Sequence, residues 1–358
     1  MAEVSSHPGP RARNKFVRAG GVGYKRGVKK GFVIKLAVSV LFLGMIAWSL
    51  RGESLAPALR RLDPAWALGS VGLSVAMVMT SCLKWMVLLR VQGLREPYGP
   101  LLKLYFIGYY FSCLLPSNVG GDLVRSYQTG KRTGSQSKAA VSIFLERITG
   151  YVCLLALTLL APLLLPALYR DPVLLATATL AAVLLGGLVA LMFLRDPGGL
   201  ARRLAGAMLP RALQPGAQKV IRAAESFRAR LLDALKALRG HAPSTAAVIV
   251  LTLLFYAMTW VNVWAGYKAF GHDLPFTHAI AVTPVCLMIA SLPVAPFGGL
   301  GLTEGGYLYF FTLAAVPRPE TFAMALLLRL KVLLLGIAGM LCYTFARPDE
   351  RELPQPKP

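Results

Sequence analysis

The chain has 358 residues, is 56% hydrophobic with a mean hydropathy of +0.57, and carries 39 Lys and Arg against 16 Asp and Glu, a formal charge of +23. This composition excludes an ordinary soluble domain, and several nearly charge-free runs are long enough to cross a hydrocarbon layer of about 30 Å. In a soluble protein the charge would suggest nucleic acid. Here the basic residues crowd the N-terminus and one central segment, as the positive-inside rule expects, so the expected partners are the membrane and its anionic lipids, with no nucleic acid.

Residues 1–31 mix Gly, Pro, Arg and Lys without periodicity and read as a disordered basic cytoplasmic tail. The run 32–50 is a first membrane helix, and its basic flank puts the N-terminus in the cytoplasm. Ala56-Pro57-Ala58 has the look of a signal-peptidase site, but the preceding basic region is too long and Arg51 intervenes, so an uncleaved anchor is expected. Residues 64–89 form a second span with Pro64 at its start; Lys84, near its end, is expected to snorkel to the interface. The apolar segment 101–115 runs into a broken stretch, Leu115-Pro116-Ser117-Asn118-Val119-Gly120-Gly121-Asp122-Leu123-Val124-Arg125, and a polar, basic loop is expected over 126–138. Spans over 139–168 and 172–194 follow, the former carrying Glu146 and Arg147 about two turns in.

Over 195–243 ten basic residues outnumber three acids, and Val220, Ala224, Phe227, Leu231, Leu235 and Leu238 recur at spacings of three and four. This predicts a basic amphipathic helix lying on the anionic cytoplasmic leaflet; a calmodulin-like partner would produce the same pattern. Charge also tests the topology. The N-terminus and this linker should share a side, yet five apolar segments separate them. One must fail to cross, and 101–115, ended by Pro116 and the glycines, is the natural re-entrant candidate.

The second half resembles the first in order. A span over 245–268 precedes an apolar segment, 276–292, that ends in Leu292-Pro293-Val294-Ala295-Pro296-Phe297-Gly298-Gly299-Leu300-Gly301-Leu302-Thr303-Glu304-Gly305-Gly306. A short segment, 307–316, and a last helix, 321–345, carrying Arg329 and Lys331, follow. Pro116 to Arg147 is 31 positions and Pro293 to Arg329 is 36. The order is compatible with an inverted repeat and with coincidence. The expected fold is therefore an all-α integral membrane protein: one polytopic helix bundle over 32–345 with two broken, re-entrant segments, and a short tail over 346–358.

Ionisable residues inside apolar segments cost about 2.5–3.5 kcal/mol each on insertion scales unless paired or hydrated. Glu146 and Arg147 are adjacent on a helix and cannot pair squarely, so each needs a partner elsewhere. Asp122 and Arg125, at i and i+3, can pair if that stretch is helical; Glu304 stands alone in a glycine-rich turn; Arg329 and Lys331 have no acid nearby in sequence. These residues either neutralise one another to fix helix packing, or line a cavity. Over these positions Arg125, Arg147, Arg329 and Lys331 exceed Asp122, Glu146 and Glu304, and amides at glycine-rich helix starts add donors, which together suit an anionic headgroup. The candidate binding and translocation residues are Asn118, Gly120, Gly121, Asp122, Arg125, Glu146, Arg147, Gly298, Gly299, Gly301, Glu304, Gly305, Arg329 and Lys331, with Pro116, Pro293 and Pro296 breaking helices. The five cysteines lie singly and the four histidines form no ligand pattern, so no disulfide, metal or cofactor is expected. Gly299-Leu300-Gly301 lacks a βαβ context, and no P-loop, HExxH or GxSxG occurs.

Gly120–Arg125, Leu145-Glu146-Arg147-Ile148-Thr149-Gly150 and Pro296–Gly305 resemble the three motifs of the lysylphosphatidylglycerol synthase transmembrane-region family, also called the UPF0104 or flippase-like domain family, over about 32–345. The resemblance implies a bacterial or archaeal inner-membrane domain that moves lipids between leaflets, with relatives acting on aminoacylated phosphatidylglycerol or accompanying polyprenyl-linked sugar and hopanoid pathways. The chain ends at Pro358, so a member without the soluble aminoacyl-transferase domain is expected and aminoacylation is not carried over. Phe297 interrupts the family's Pro-Gly-Gly form. The resulting expectation is a non-enzymatic flippase-like protein translocating an anionic phospholipid or polyprenyl-phosphate-linked lipid. A membrane transferase, or an accessory subunit of a lipid-linked glycosyltransferase pathway, is the alternative; a scaffold recruiting a partner through the helix at 217–239 is a third reading.

Overall fold

Apolar runs opened by proline become long helices in the computed structural model, which describes residues 56–114, 120–165, 171–193, 199, 202, 214–291 and 301–346. A short helix α1 (Ala56–Arg60) leads into α2 (Pro64–Val91), where Pro64 fills the first turn and the Asp63 carboxylate accepts a hydrogen bond from the Ala65 amide at 2.8 Å. There follow α3 (Tyr98–Leu114), α4 (Gly120–Thr133), α5 (Gln136–Leu164), α6 (Pro172–Phe193) and α7 (Gln214–Arg239). The last four are α8 (Ala242–Ala269), α9 (Phe276–Ala290), α10 (Leu302–Leu313) and α11 (Arg318–Thr344). The described residues contain no strand.

Five of these helices, α2, α5, α6, α8 and α11, are long and apolar enough to cross a membrane. Their outward faces carry Leu68, Leu163, Val183, Val250 and Leu330 exposed, the surface a lipid phase would cover. Burial ranks them: 44% of the α2 window is buried inside the protein but only 17% of the α6 window, so α2 is central and α6 peripheral.

The bundle is two copies of one four-helix unit, α2–α5 and α8–α11. Their helices run 28, 17, 14 and 29 residues in the first unit and 28, 15, 12 and 27 in the second. The contacts follow a pseudo-two-fold. Helix α2 packs along its own counterpart α8; α3 packs on α11, and α9 packs on α5; within each unit the short second and third helices pack together and the third packs on the fourth. At α3 and α4 of the first unit, and α9 and α10 of the second, a span is replaced by two helices too short or too polar to cross, each pair counting as a hairpin that returns to its own side. The first unit then begins and ends on one side, α6 crosses to the other, and the second unit starts there inverted. The polytopic all-α architecture expected from the sequence is thus present, and between repeat and coincidence, which the sequence leaves open, the matching helix lengths and contacts favour the repeat.

Some expectations fall outside the described residues: the tail 1–31, the helix at 32–50, and the breaks at Pro116, Asn118, Pro293, Pro296, Gly298 and Gly299. Others are corrected. Residues 126–133 are not loop but the continuation of α4, whose Ser126, Gln128, Thr129 and Gly130 are buried, with Gln136 Nε2 donating to Ser126 Oγ at 3.4 Å across the α4–α5 corner. Polar composition misled there because these side chains are buried where α4 packs on its neighbours, with Ser126 paired to Gln136 and Thr129 Oγ1 left without a partner among the described residues. Glu304 sits in the first turn of α10 rather than in a turn between elements. The amphipathic segment forms α7, and the Arg202 guanidinium pairs with Glu225 on it at 2.7 Å.

Candidate functional site

A cavity of about 720 Å³ lies where the two units meet, lined from α2, α3, α4 and α5 on one side and α8, α9 and α11 on the other. Its polar wall is built from the first unit. Helix α4 begins at Gly120-Gly121, and Gly121 lies so close to α3 that a β-carbon there would fall 2.1 Å from the Gly108 carbonyl oxygen and 2.5 Å from Ser112 Oγ. That close approach brings Asp122 and Arg125, one turn on, under α3 and against α5.

Arg125 is 4% exposed and held through both terminal nitrogens and both ring faces, while its buried Nε has no hydrogen-bond partner among the described residues. Its Nη2 donates to Glu146 Oε2 at 2.6 Å and its Nη1 to Asp122 Oδ1 at 3.3 Å, while the guanidinium carbon lies 4.2 Å from the Trp85 ring centre and 3.9 Å from that of Tyr105. Tyr105 Oη donates to Glu146 Oε1 at 2.7 Å, and Trp85 Nε1 to Ser142 Oγ at 3.0 Å. Lys84 is not at the interface: it is 7% exposed, and its ammonium donates to the Glu146 carbonyl oxygen at 3.3 Å. The expectation of snorkelling fails because a buried backbone carbonyl on α5 receives it, a signal that lies in α5 and not near Lys84 in sequence.

Glu146 and Arg147 do part company, as two adjacent helical residues must. Glu146 turns into the core to Arg125, while Arg147 turns to the cavity, its Nε donating to Asp122 Oδ2 at 2.7 Å. The Arg147 side chain is 49% exposed, against 11% for its partner Asp122. The second unit repeats the pair. Arg329 Nε donates to Glu304 Oε1 at 2.7 Å, and Arg329 Nη2 lies 2.7 Å from the same oxygen. Acid and arginine are 25 positions apart in both units. Glu304 also accepts from the Gly301 amide through Oε2 at 2.7 Å, capping the helix start at a residue whose φ of +85° favours glycine.

Of the sequence candidates, the structure brings Gly121, Asp122, Arg125, Glu146, Arg147 and Arg329 to one cavity; Gly120 begins α4 beside it, and Glu304 and Gly301 stand behind Arg329. Lys331 and Gly305 go elsewhere. Lys331 is buried between α11 and α8, donating to Asn262 Oδ1, whose Nδ2 donates to Ser74 Oγ at 2.9 Å and to the Ser70 carbonyl oxygen at 3.1 Å. Gly305 lines a small apolar recess with Val173 and Phe310. The sequence reading missed Lys84, Tyr105 and Trp85. Around the cavity Lys84, Arg125, Arg147 and Arg329 stand against Asp122, Glu146 and the Glu304 behind Arg329, one positive charge in excess. The rest of the wall mixes hydroxyl side chains such as Ser81, Thr252 and Thr259 with apolar and aromatic ones, including Phe255, Leu287, Val332 and Leu333. Among the described residues no group of His, Cys, Asp and Glu is placed to hold a metal ion.

Fold and site together define a multi-pass membrane protein of two inverted helical units around a charged cavity. The chain belongs to a known family: the family model described as lysylphosphatidylglycerol synthase TM region matches residues 32–339. No curated protein and no solved structure matches the chain.

Proposed function

We propose that the protein translocates an anionic lipid between leaflets, binding its phosphate in the cavity between the two units while the tail remains against the apolar wall. The observation that carries this reading is the asymmetry of Arg147. Its acid is buried and also serves Arg125, while the arginine side chain is 49% exposed and, among the described residues, is hydrogen-bonded only through Nε to Asp122. A guanidinium so held is fixed in direction and keeps N–H groups for a phosphate. The single excess positive charge supports a ligand with one net negative charge, and membership of a family named for lipid synthesis supports a lipid.

In this proposal Glu146, Asp122, Tyr105 and Trp85 position the arginines and the chain itself performs no covalent chemistry. The basic helix α7 and the N-terminus lie on the cytoplasmic face of a prokaryotic inner membrane, where the positive-inside rule puts them. The α3–α4 hairpin then enters from the cytoplasm and the α9–α10 hairpin from the opposite face. The test is reconstitution with fluorescent phosphatidylglycerol and dithionite quenching. Wild type should move the probe between leaflets, and Arg147→Gln should move it at least about tenfold more slowly, since one lost charge-assisted bond is worth about 1.5–3 kcal/mol. Equal rates would remove Arg147 from the function.

A further inference from the structure

The pseudo-two-fold has a consequence for Arg329. Two arginines reach one cavity, one from each unit, each clamped through Nε by an acid 25 positions earlier at the start of the preceding helix. The cavity nevertheless holds only one positive charge beyond its carboxylates. Equivalent as they are in position, the two differ in state. The Arg147 side chain is 49% exposed and joined to Asp122 through Nε alone, whereas the Arg329 side chain is 18% exposed with both Nε and Nη2 on Glu304. Glu304 is itself 2% exposed and fixed by the Gly301 amide. Ser112 near the C-terminal end of α3 and Ser291, the C-cap of α9, line the same cavity.

We infer that the two pairs are alternate stations for a single phosphate: Arg147 with Asp122 is the open station in this conformation, Arg329 with Glu304 the held one, and the lipid headgroup passes from the first to the second as the inverted units exchange conformations. One phosphodiester charge matches the one excess cation, so both stations are not filled at once. Arg329 thereby becomes a second binding residue for the same headgroup, used later on the path. This rests on the proposed function and extends it by an order of events.

The experiment separates binding from movement. Wild type, Arg147→Gln and the double variant Glu304→Gln with Arg329→Gln are reconstituted, the double change avoiding a buried unpaired carboxylate. Equilibrium binding of fluorescent phosphatidylglycerol is read in detergent micelles, and its translocation in vesicles. Arg147→Gln should weaken binding at least about tenfold, as expected for losing a charged contact. The double variant should weaken binding at least fivefold less than that, yet slow translocation as much as Arg147→Gln does. Arg329→Lys, which keeps the charge and one bond to Glu304, should restore part of the movement. Translocation by the double variant at the wild-type rate would overturn the second station while leaving the proposed function standing. Equal loss of binding in both variants would overturn it in favour of one composite site. Unchanged binding in Arg147→Gln would overturn the proposed function itself.

Discussion

Replacing Glu146 by glutamine isolates the centre of the charged wall. The carboxylate is 8% exposed and accepts from Arg125 Nη2 at 2.6 Å and from Tyr105 Oη at 2.7 Å. The amide keeps one acceptor, which can satisfy Tyr105, but turns a donor towards a guanidinium that has none to accept it. Breaking one side of a buried ion pair costs about 3–5 kcal/mol. Part of that is offset here, because Arg125 retains Asp122 at 3.3 Å and the faces of Trp85 and Tyr105, contacts worth about 0.5–2 kcal/mol. The expected net loss is about 2–4 kcal/mol, and at about 2–4 °C per kcal/mol this lowers the unfolding midpoint by about 4–16 °C. Heating at one scan rate in detergent reads it, since such unfolding is irreversible. The paired control is Glu225→Gln, whose partner Arg202 has a side chain 50% exposed, where a loss below about 1 kcal/mol is expected. A Glu146→Gln midpoint within about 1 °C of wild type would refute the assignment of Arg125 and Glu146 as a buried clamp.

Three further changes test other contacts. Gly121→Ala places a methyl 2.1 Å from the Gly108 carbonyl and should destabilise by about 3 kcal/mol or more, whereas Gly72→Ala on α2, with nothing within 4 Å, should be neutral or stabilising in the same thermal assay. Asn262→Leu leaves Lys331 buried without its acceptor and should cost about 3–5 kcal/mol; Lys331→Met should cost far less, and the double variant should recover most of the loss, which a double-mutant cycle measures. Trp85→Leu removes one face from Arg125 and the bond to Ser142, and should cost about 2–3 kcal/mol in thermal stability while leaving the Arg147 pair intact.

Much of this architecture is legible in the sequence, because lipid leaves only helices as spanning elements and makes every charge in them conspicuous. The parity of five apolar segments between two basic regions points to the re-entrant pair α3–α4 without any coordinates. The repeat is less clear in sequence when measured from proline to arginine, 31 against 36 positions, because the difference falls in the broken stretches themselves. Measured from acid to arginine it is 25 in both units, since Asp122 and Glu304 occupy matching places in α4 and α10 and the helices that follow begin equally far on. What the sequence hides is partnership at a distance. Lys84 resembles any lysine near a helix end until Glu146 on another helix receives it, and Tyr105 resembles any aromatic in an apolar run until Arg125 lies on its face. Lys331 resembles a cavity cation, and only packing against Asn262 on α8 sends it elsewhere.

The account stands or falls on whether an anionic headgroup occupies the cavity at Arg147. Native mass spectrometry of the purified protein, wild type beside Arg147→Gln, measures this directly. The prediction is one anionic phospholipid or polyprenyl phosphate retained per wild-type chain and lost from Arg147→Gln at the same activation energy. Retention of the same lipid by both proteins, or of zwitterionic lipid alone by wild type, would contradict it.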